Sequence, residues 1–322
     1  LFKPRNSLGN TGGQFYVAKN PTYGAVFTYH LKDLPKTSKS KRIQSERKLN
    51  SEKKDIPFPG YKALSDEMNE KPASIILTIK DSGGNHIQNV IKVASEGSGR
   101  IAWNLRHRSY YPVRSGSFRG GWGWNPSGPY VTPGDYQAEL FLENNGSIEK
   151  LDGPINFSVK PLREGTLKGA SYDEYNSFRE RVSELYVNIS KYEDVFSMIG
   201  DKIQLLAKAS TQLESFSPDI IAKIADFRKR YNDYEYENDS SPARDEIGEW
   251  YKPNLGARIR IAMQGLSTSY GPTELNSSNL EIAEKHFEKM KNEIEQLNKE
   301  VKDLENEVKQ LNPPYIIGQG ID

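Results

Sequence analysis

The stretch 287–311, FEKMKNEIEQLNKEVKDLENEVKQL, decides how the second half of the chain folds. Its apolar residues are Phe287, Met290, Ile294, Leu297, Val301, Leu304, Val308 and Leu311. They recur at alternating steps of three and four, the seam of a coiled-coil-type helix. The residues between them are Glu, Lys, Asn, Gln and Asp, so one narrow stripe is apolar and the rest faces water. Asn312-Pro313-Pro314 ends the pattern, because proline cannot continue a helix.

Three further stripes lie upstream. Phe178, Val182, Leu185, Ile189, Tyr192, Phe196, Ile199, Ile203 and Leu206 repeat at helical spacing. Ser217-Pro218-Asp219 reads as a helix start, followed by Ile220, Ile224, Phe227, Tyr231 and Tyr234. Leu255, Ile259, Ala262 and Leu266 make a shorter stripe. These patterns predict a long-helix antiparallel bundle, coiled-coil-like, over residues 166–322. The two outer helices can equally form a long hairpin. The seam of 287–311 can pack within the chain or against a second copy, which makes it a candidate homo-oligomer face.

Residues 1–165 have another period. Gln14–Ala18 and Ala25–Leu31 read as strands around the turn Asn20-Pro21-Thr22-Tyr23-Gly24. Val26, Thr28 and His30 face one way; Phe27, Tyr29 and Leu31 face the other. Ile75–Ile79 is β-branched and apolar, and His86–Val93 alternates after the turn 81–85. Gly97-Ser98-Gly99 reads as a turn before a strand over Arg100–Leu105. Gly134–Leu142 puts Tyr136, Ala138, Leu140 and Leu142 on one face, Asn144-Asn145-Gly146 is a hairpin signal, and Ile155–Val159 closes the set. About seven short strands separated by turns predict an antiparallel β-sandwich. The fold class expected is therefore α+β multidomain, a β-sandwich (1–165) followed by a helical bundle (166–322).

Two stretches interrupt the β pattern. Residues 32–56 hold nine Lys/Arg against four Asp/Glu. No aromatic residue interleaves them to stack on bases, so they read as a solvated excursion or a Lys-rich helix. The Gly/Trp-rich loop 106–133 carries Tyr110, Tyr111, Trp122, Trp124 and Tyr130. Trp and Tyr offer wide flat surfaces, so these five are candidate ligand-binding residues, a platform for a sugar ring. The same loop read as packing covers a sandwich end or a neighbouring domain.

Composition narrows the rest. The 322 residues include 44 Lys/Arg and 43 Asp/Glu, a net charge of +1, which lacks the basic field of a general nucleic-acid binder. There is no cysteine, hence no disulfide framework and no thiolate chemistry. No apolar run reaches the roughly 20 residues of a membrane helix. No phosphate-binding glycine loop, zinc-protease helix motif or nucleophile elbow occurs. His30, His86, His107 and His286 stand alone, without metal spacing. No catalytic residue, metal or cofactor is expected. Asp233, Glu235, Glu237 and Asp239 alternate with Tyr234 and Tyr236, which reads as an interhelix loop. The chain starts at Leu1 with no charged and apolar leader pattern after it, and is expected to be part of a longer protein.

The order Ile79-Lys80-Asp81, Gly84-Asn85, Trp103-Asn104-Leu105-Arg106 and Val131-Thr132-Pro133-Gly134-Asp135-Tyr136 resembles the Ig-like domain of the flagellar hook-cap protein and of tail domains of bacterial secreted proteins. That resemblance implies that Trp103 fills the sandwich core and that Pro133-Gly134 turns into the next strand.

A wider resemblance starts at Ala18–Lys32, AKNPTYGAVFTYHLK, which is similar to the A-x-N-P-P-x-G-A-x-F-x-Y-Y-L stretch of large secreted sortilin-like β-propeller proteins. These are often labelled glycosyl hydrolases or BNR-repeat proteins. Gly271-Pro272-Thr273, Leu311-Asn312 and Pro314-Tyr315 also fit. Thr22 departs from the family's second proline, and the loop 106–130 is longer than its pattern.

In that family the propeller comes first and this region is the C-terminal tail, so the resemblance implies a non-catalytic module, extracellular, at the surface or periplasmic in a Gram-negative-type bacterium. It would cap or dock the upstream β-propeller or another surface protein. Two alternatives stay open: a carbohydrate-binding module using the aromatic loop, and a segment that completes a glycoside hydrolase site.

Overall fold

The computed structural model describes residues 21–113, 127–162, 168–238, 246–249, 252–268 and 270–318. Among the described residues, six helices and two antiparallel sheets make it an α+β protein. The chain divides into two compact units, Leu1–Arg108 with Tyr130–Leu162, and Ser109–Pro129 with Arg163–Asp322. The expected strand at Gln14–Ala18 lies outside the described residues.

The first unit holds strands β1 (Ala25–Leu31), β2 (Ser74–Asp81), β3 (His86–Val93), β4 (Gly97–Trp103), β5 (Gly134–Asn144) and β6 (Ser147–Val159). One sheet pairs β1 with β4; the other runs β3–β2–β5–β6. β1 alternates as its sequence predicts, with Tyr29 and Leu31 buried and Val26, Thr28 and His30 exposed. Those two join Ile101 and Trp103 of β4, Ile75, Leu77 and Ile79 of β2, and Tyr136 and Ala138 of β5 in one apolar core. Trp103 is fully buried. Its Nε1 donates to Gln88 Oε1 at 3.1 Å and to the Arg106 carbonyl at 2.9 Å, which satisfies the one polar atom that burial would otherwise strand. Tyr136 opens β5 and donates its hydroxyl to the Thr132 carbonyl at 2.6 Å.

Gly24 explains part of the N-P-T-Y-G-A stretch. Its φ is +109°, and a Cβ there would lie 1.9 Å from the Trp103 carbonyl oxygen. Only glycine lets the chain enter β1 so close to β4.

The structure corrects several details of the β reading. Gly97-Ser98-Gly99 is strand rather than turn, pairing with Leu31, His30 and Tyr29. The Tyr29 ring lies over Gly99, where a Cβ would come within 2.4 Å of it, so the glycine is there for close packing. β6 begins at Ser147, because it pairs with β5 outward from the Asn145-Gly146 turn. Residues 32–56 contain helix α1 (Ser38–Ser51), N-capped by Thr37, and α2 (Tyr61–Asn69) follows. No α1 residue is buried; Arg42 ties it to α2 through Glu67 at 2.7 Å while also holding Glu46 at 2.6 Å.

The second unit contains α3 (Tyr172–Ser210), α4 (Pro218–Asn238), α5 (Leu255–Gln264) and α6 (Glu274–Lys309). Side chains define the starts: Ser171 and Glu174 form a capping box at α3, Thr273 and Asn276 one at α6, and Asn254 caps α5. At about 1.5 Å per residue, α3 runs about 58 Å and α6 about 54 Å. Phe287, Met290, Ile294, Leu297, Val301, Leu304 and Val308 are all buried in a core shared with α3, α4 and α5. The seam considered for self-association is therefore filled from within the chain.

The direction of the helices departs from the expected antiparallel bundle. Arg181 pairs with Glu284, Tyr192 with Glu295 and Lys202 with Glu305, so partners on α3 and α6 advance together. The two long helices are parallel. On α4 the sense reverses: Lys223 meets Glu307, Arg230 meets Glu300 and Asn238 meets His286. α5 continues that return, with Arg258 bonded to Asn279 and Ile261 to Asn276. Among the described residues, the return path between the parallel pair thus runs as two helical pieces. Of the acidic alternation read as loop, Asp233, Glu235 and Glu237 lie in the last part of α4, and Asp239 lies outside the described residues. Tyr231 and Tyr234 both pack on Phe196 of α3, with centroids 4.2 and 4.5 Å away, and this holds the helix together to its end.

Candidate functional site

The aromatic candidates fall into separate groups. Tyr110 and Tyr111 belong to the helical unit, and Tyr130 to the β unit. Trp122 and Trp124 lie outside the described residues. The Tyr110 and Tyr111 rings stack at 5.0 Å, and both meet the edge of Tyr186 on α3, at 5.4 and 5.1 Å. Both are partly buried, and burial raises both phenol pKa values, that of Tyr110 strongly. The pair is packed onto the helix, which leaves it little open face.

Tyr130 keeps 40% of its surface exposed and Tyr23 keeps 48%. Their rings meet edge to face at 6.3 Å. The Arg106 guanidinium lies 3.7 Å above the Tyr130 ring, a cation–π contact that covers one face. The backbone explains the meeting: Arg106 and Tyr130 form an antiparallel bridge, and the Val131 amide donates to the Leu105 carbonyl at 2.9 Å. Burial raises the Tyr23 phenol, with Tyr130 adding to the effect.

A polar site lies where α4 gives way to α5. His286 of α6 bonds Asn238 Oδ1 through Nε2 at 2.9 Å. Burial, then the neighbouring Lys289, holds the imidazole below its ordinary range, Glu293 opposing and Arg258 adding. Close by in sequence, the Tyr234 hydroxyl is buried without a hydrogen-bond partner among the described residues.

Two adjoining cavities of about 510 and 580 Å³ form a groove between α3 and α4. Its floor is apolar and small, with Gly200, Ala207 and Ile224. Gly200 is needed there because a Cβ would meet the Tyr231 ring at 2.6 Å. Lys208, Arg228 and Asn232 stand on the rim, and Lys229 and Asp233 line one lobe. Only Asp233 among them stood out in the sequence; Lys208, Arg228, Lys229 and Asn232 did not. Their signal was the run Arg228-Lys229-Arg230, which a single apolar stripe on α4 splits between two faces.

Among the described residues no three His, Asp or Glu side chains converge as a metal site, and no helix is long and apolar enough to cross a membrane. In comparison with known proteins, the chain matches no protein-family model, no curated protein and no solved structure. Its resemblance to the sortilin-like family stands on the motif residues alone.

Proposed function

We propose that this chain is a non-catalytic structural and interaction module from the C-terminal region of a larger secreted or cell-surface β-propeller protein. The observation that carries the reading is the parallel α3–α6 pair. Two helices of more than fifty ångströms share one continuous core and are cross-tied by ion pairs at both ends and by Tyr192–Glu295 between them. Such an element is stiff, and suits spacing and docking. In this reading the β unit is Ig-like and the helical unit a coiled-coil-like bundle. Support for the first comes from the buried Trp103 and from the Tyr136 hydroxyl bonded back to Thr132, an arrangement that recurs in Ig-like sandwiches. Support for the second comes from the buried three-and-four seam of α6. The extracellular or surface location and the propeller partner come from the motif resemblance.

The test is association in trans. The upstream propeller and this chain are produced separately, mixed and run by size exclusion with light scattering. A one-to-one complex and a raised propeller melting temperature are expected. Absence of a complex, or hydrolysis of glycosides by this chain alone, would overturn the reading.

The exposed Tyr23–Tyr130 pair favours a second reading, contact with a glycan. Calorimetric titration with oligosaccharides should then show binding that Tyr130→Ala removes.

A further inference from the structure

We propose that the groove between α3 and α4 is a docking site for an acidic peptide segment. The inference rests on the reading of the chain as an interaction module and names the chemistry of a partner.

The groove differs from the rest of α4 in its charge. The cations that α4 turns toward α6 are neutralised, Lys223 by Glu307 and Arg230 by Glu300. The cations at the groove are not: Lys208, Arg228 and Lys229 have no ion-pair partner among the described residues. Among the described residues, Asp233 is the one carboxylate that lines the groove with them. A partner carrying several carboxylates meets a surplus of positive charge, which steers encounter and fixes register.

The two lobes share Ala207, Thr211, Arg228 and Asn232, so they form one open trough rather than two closed chambers. From Gly200 to Thr211 it follows α3 for about 16 Å at roughly 1.5 Å per residue. Small-molecule sites bury most of their ligand in a cavity, whereas an open trough of this length fits three turns of a helix. Ala207 and Ile224 offer an apolar strip, and the exposed amides of Gln204 and Asn232 flank it. An amphipathic acidic helix presents the complement, apolar residues to the floor and carboxylates to the rim.

The experiment titrates the whole chain with a labelled twelve-residue peptide of Glu, Leu and Ala, read by fluorescence anisotropy. A matched peptide with Lys for Glu, and free glutamate, are the comparison arms. The acidic peptide should bind, and binding should weaken severalfold as salt rises from about 0.05 to about 0.5 M. Arg228→Glu and Lys208→Glu should each weaken it roughly tenfold or more. Both residues are exposed, and unchanged helical circular dichroism would show that the fold persists. Lys285→Glu, the same charge change at an exposed site on α6, should leave binding intact. No binding, equal binding of the lysine peptide, or insensitivity to both groove substitutions would overturn the proposal. Competition by free glutamate at comparable concentration would do so too, since it would mark a small-anion pocket. The propeller mixing experiment is read separately: a complex that forms with a silent groove sinks only the groove, while no complex sinks the wider reading.

Discussion

Lys202 and Glu305 form a 2.8 Å ion pair across the α3–α6 interface, separated by the same 103 residues that separate Arg181 from Glu284. That constant offset is the signature of parallel helices in fixed register. The chain has no cysteine, so the register can be read directly. Lys202→Cys with Glu305→Cys should cross-link within one chain through a short bis-maleimide. Lys202→Cys with Glu284→Cys should not. Mass spectrometry of the digested product distinguishes the two, and the opposite pattern would mean an antiparallel pair.

The seam of α6 should be sensitive to cavities. Ile294 is 1% exposed and sits midway along the core. Ile294→Ala removes buried methylenes from a site with neighbours on several sides, and should cost about 2–5 kcal/mol of stability. Urea unfolding followed by circular dichroism measures it. A loss well under 1 kcal/mol would mean that the core around Ile294 is loosely packed.

Gly24 should resist substitution for two separate reasons. Its positive φ alone penalises alanine by about 1–3 kcal/mol, and the Trp103 carbonyl occupies the space a Cβ needs. Gly24→Ala should lower the melting temperature of the β unit and shift Trp fluorescence, as β1 moves off β4. Val26→Ala, at an exposed position two residues on, serves as the control and should change little.

His286 makes the helical unit sensitive to mild acid. Its folded pKa lies below the unfolded value of 6.5, so the unfolded chain binds the proton more readily. The stabilisation is complete above pH 6.5 and is lost as pH falls from there through the lower folded value. The groups involved are Asn238 at the end of α4, Arg258 on α5, and Lys289 and Glu293 on α6. Denaturation midpoints between about pH 7 and pH 5 should fall for wild type and fall less for His286→Gln. Equal slopes would remove His286 from the account.

Elements with one dominant face were legible in the sequence. The α6 seam, the α3 stripe and the alternation of β1 all carried their period in the residues that became core. Helix direction was not, because an apolar stripe reads the same whether its partner runs up or down; only partners such as Arg181 and Glu284 distinguish the cases. Gly97 and Gly99 misled in another way, since turn and strand both use glycine and the decisive object was the Tyr29 ring above Gly99. The acidic end of α4 looked like loop by composition, but Tyr231 and Tyr234 lie three apart and share Phe196. Among the candidate site residues, aromatic content singled out Tyr110, Tyr111 and Tyr130. Which partner each would meet depended on tertiary contacts that no local pattern encodes.

The two-piece return track has an engineering consequence. Because α4 and α5 are each anchored to α6 by their own side chains, each piece holds its own register on the long helix. A fluorophore attached at Ala222, exposed on α4, would therefore ride on the side of the rod while leaving its length and both of its ends unaltered.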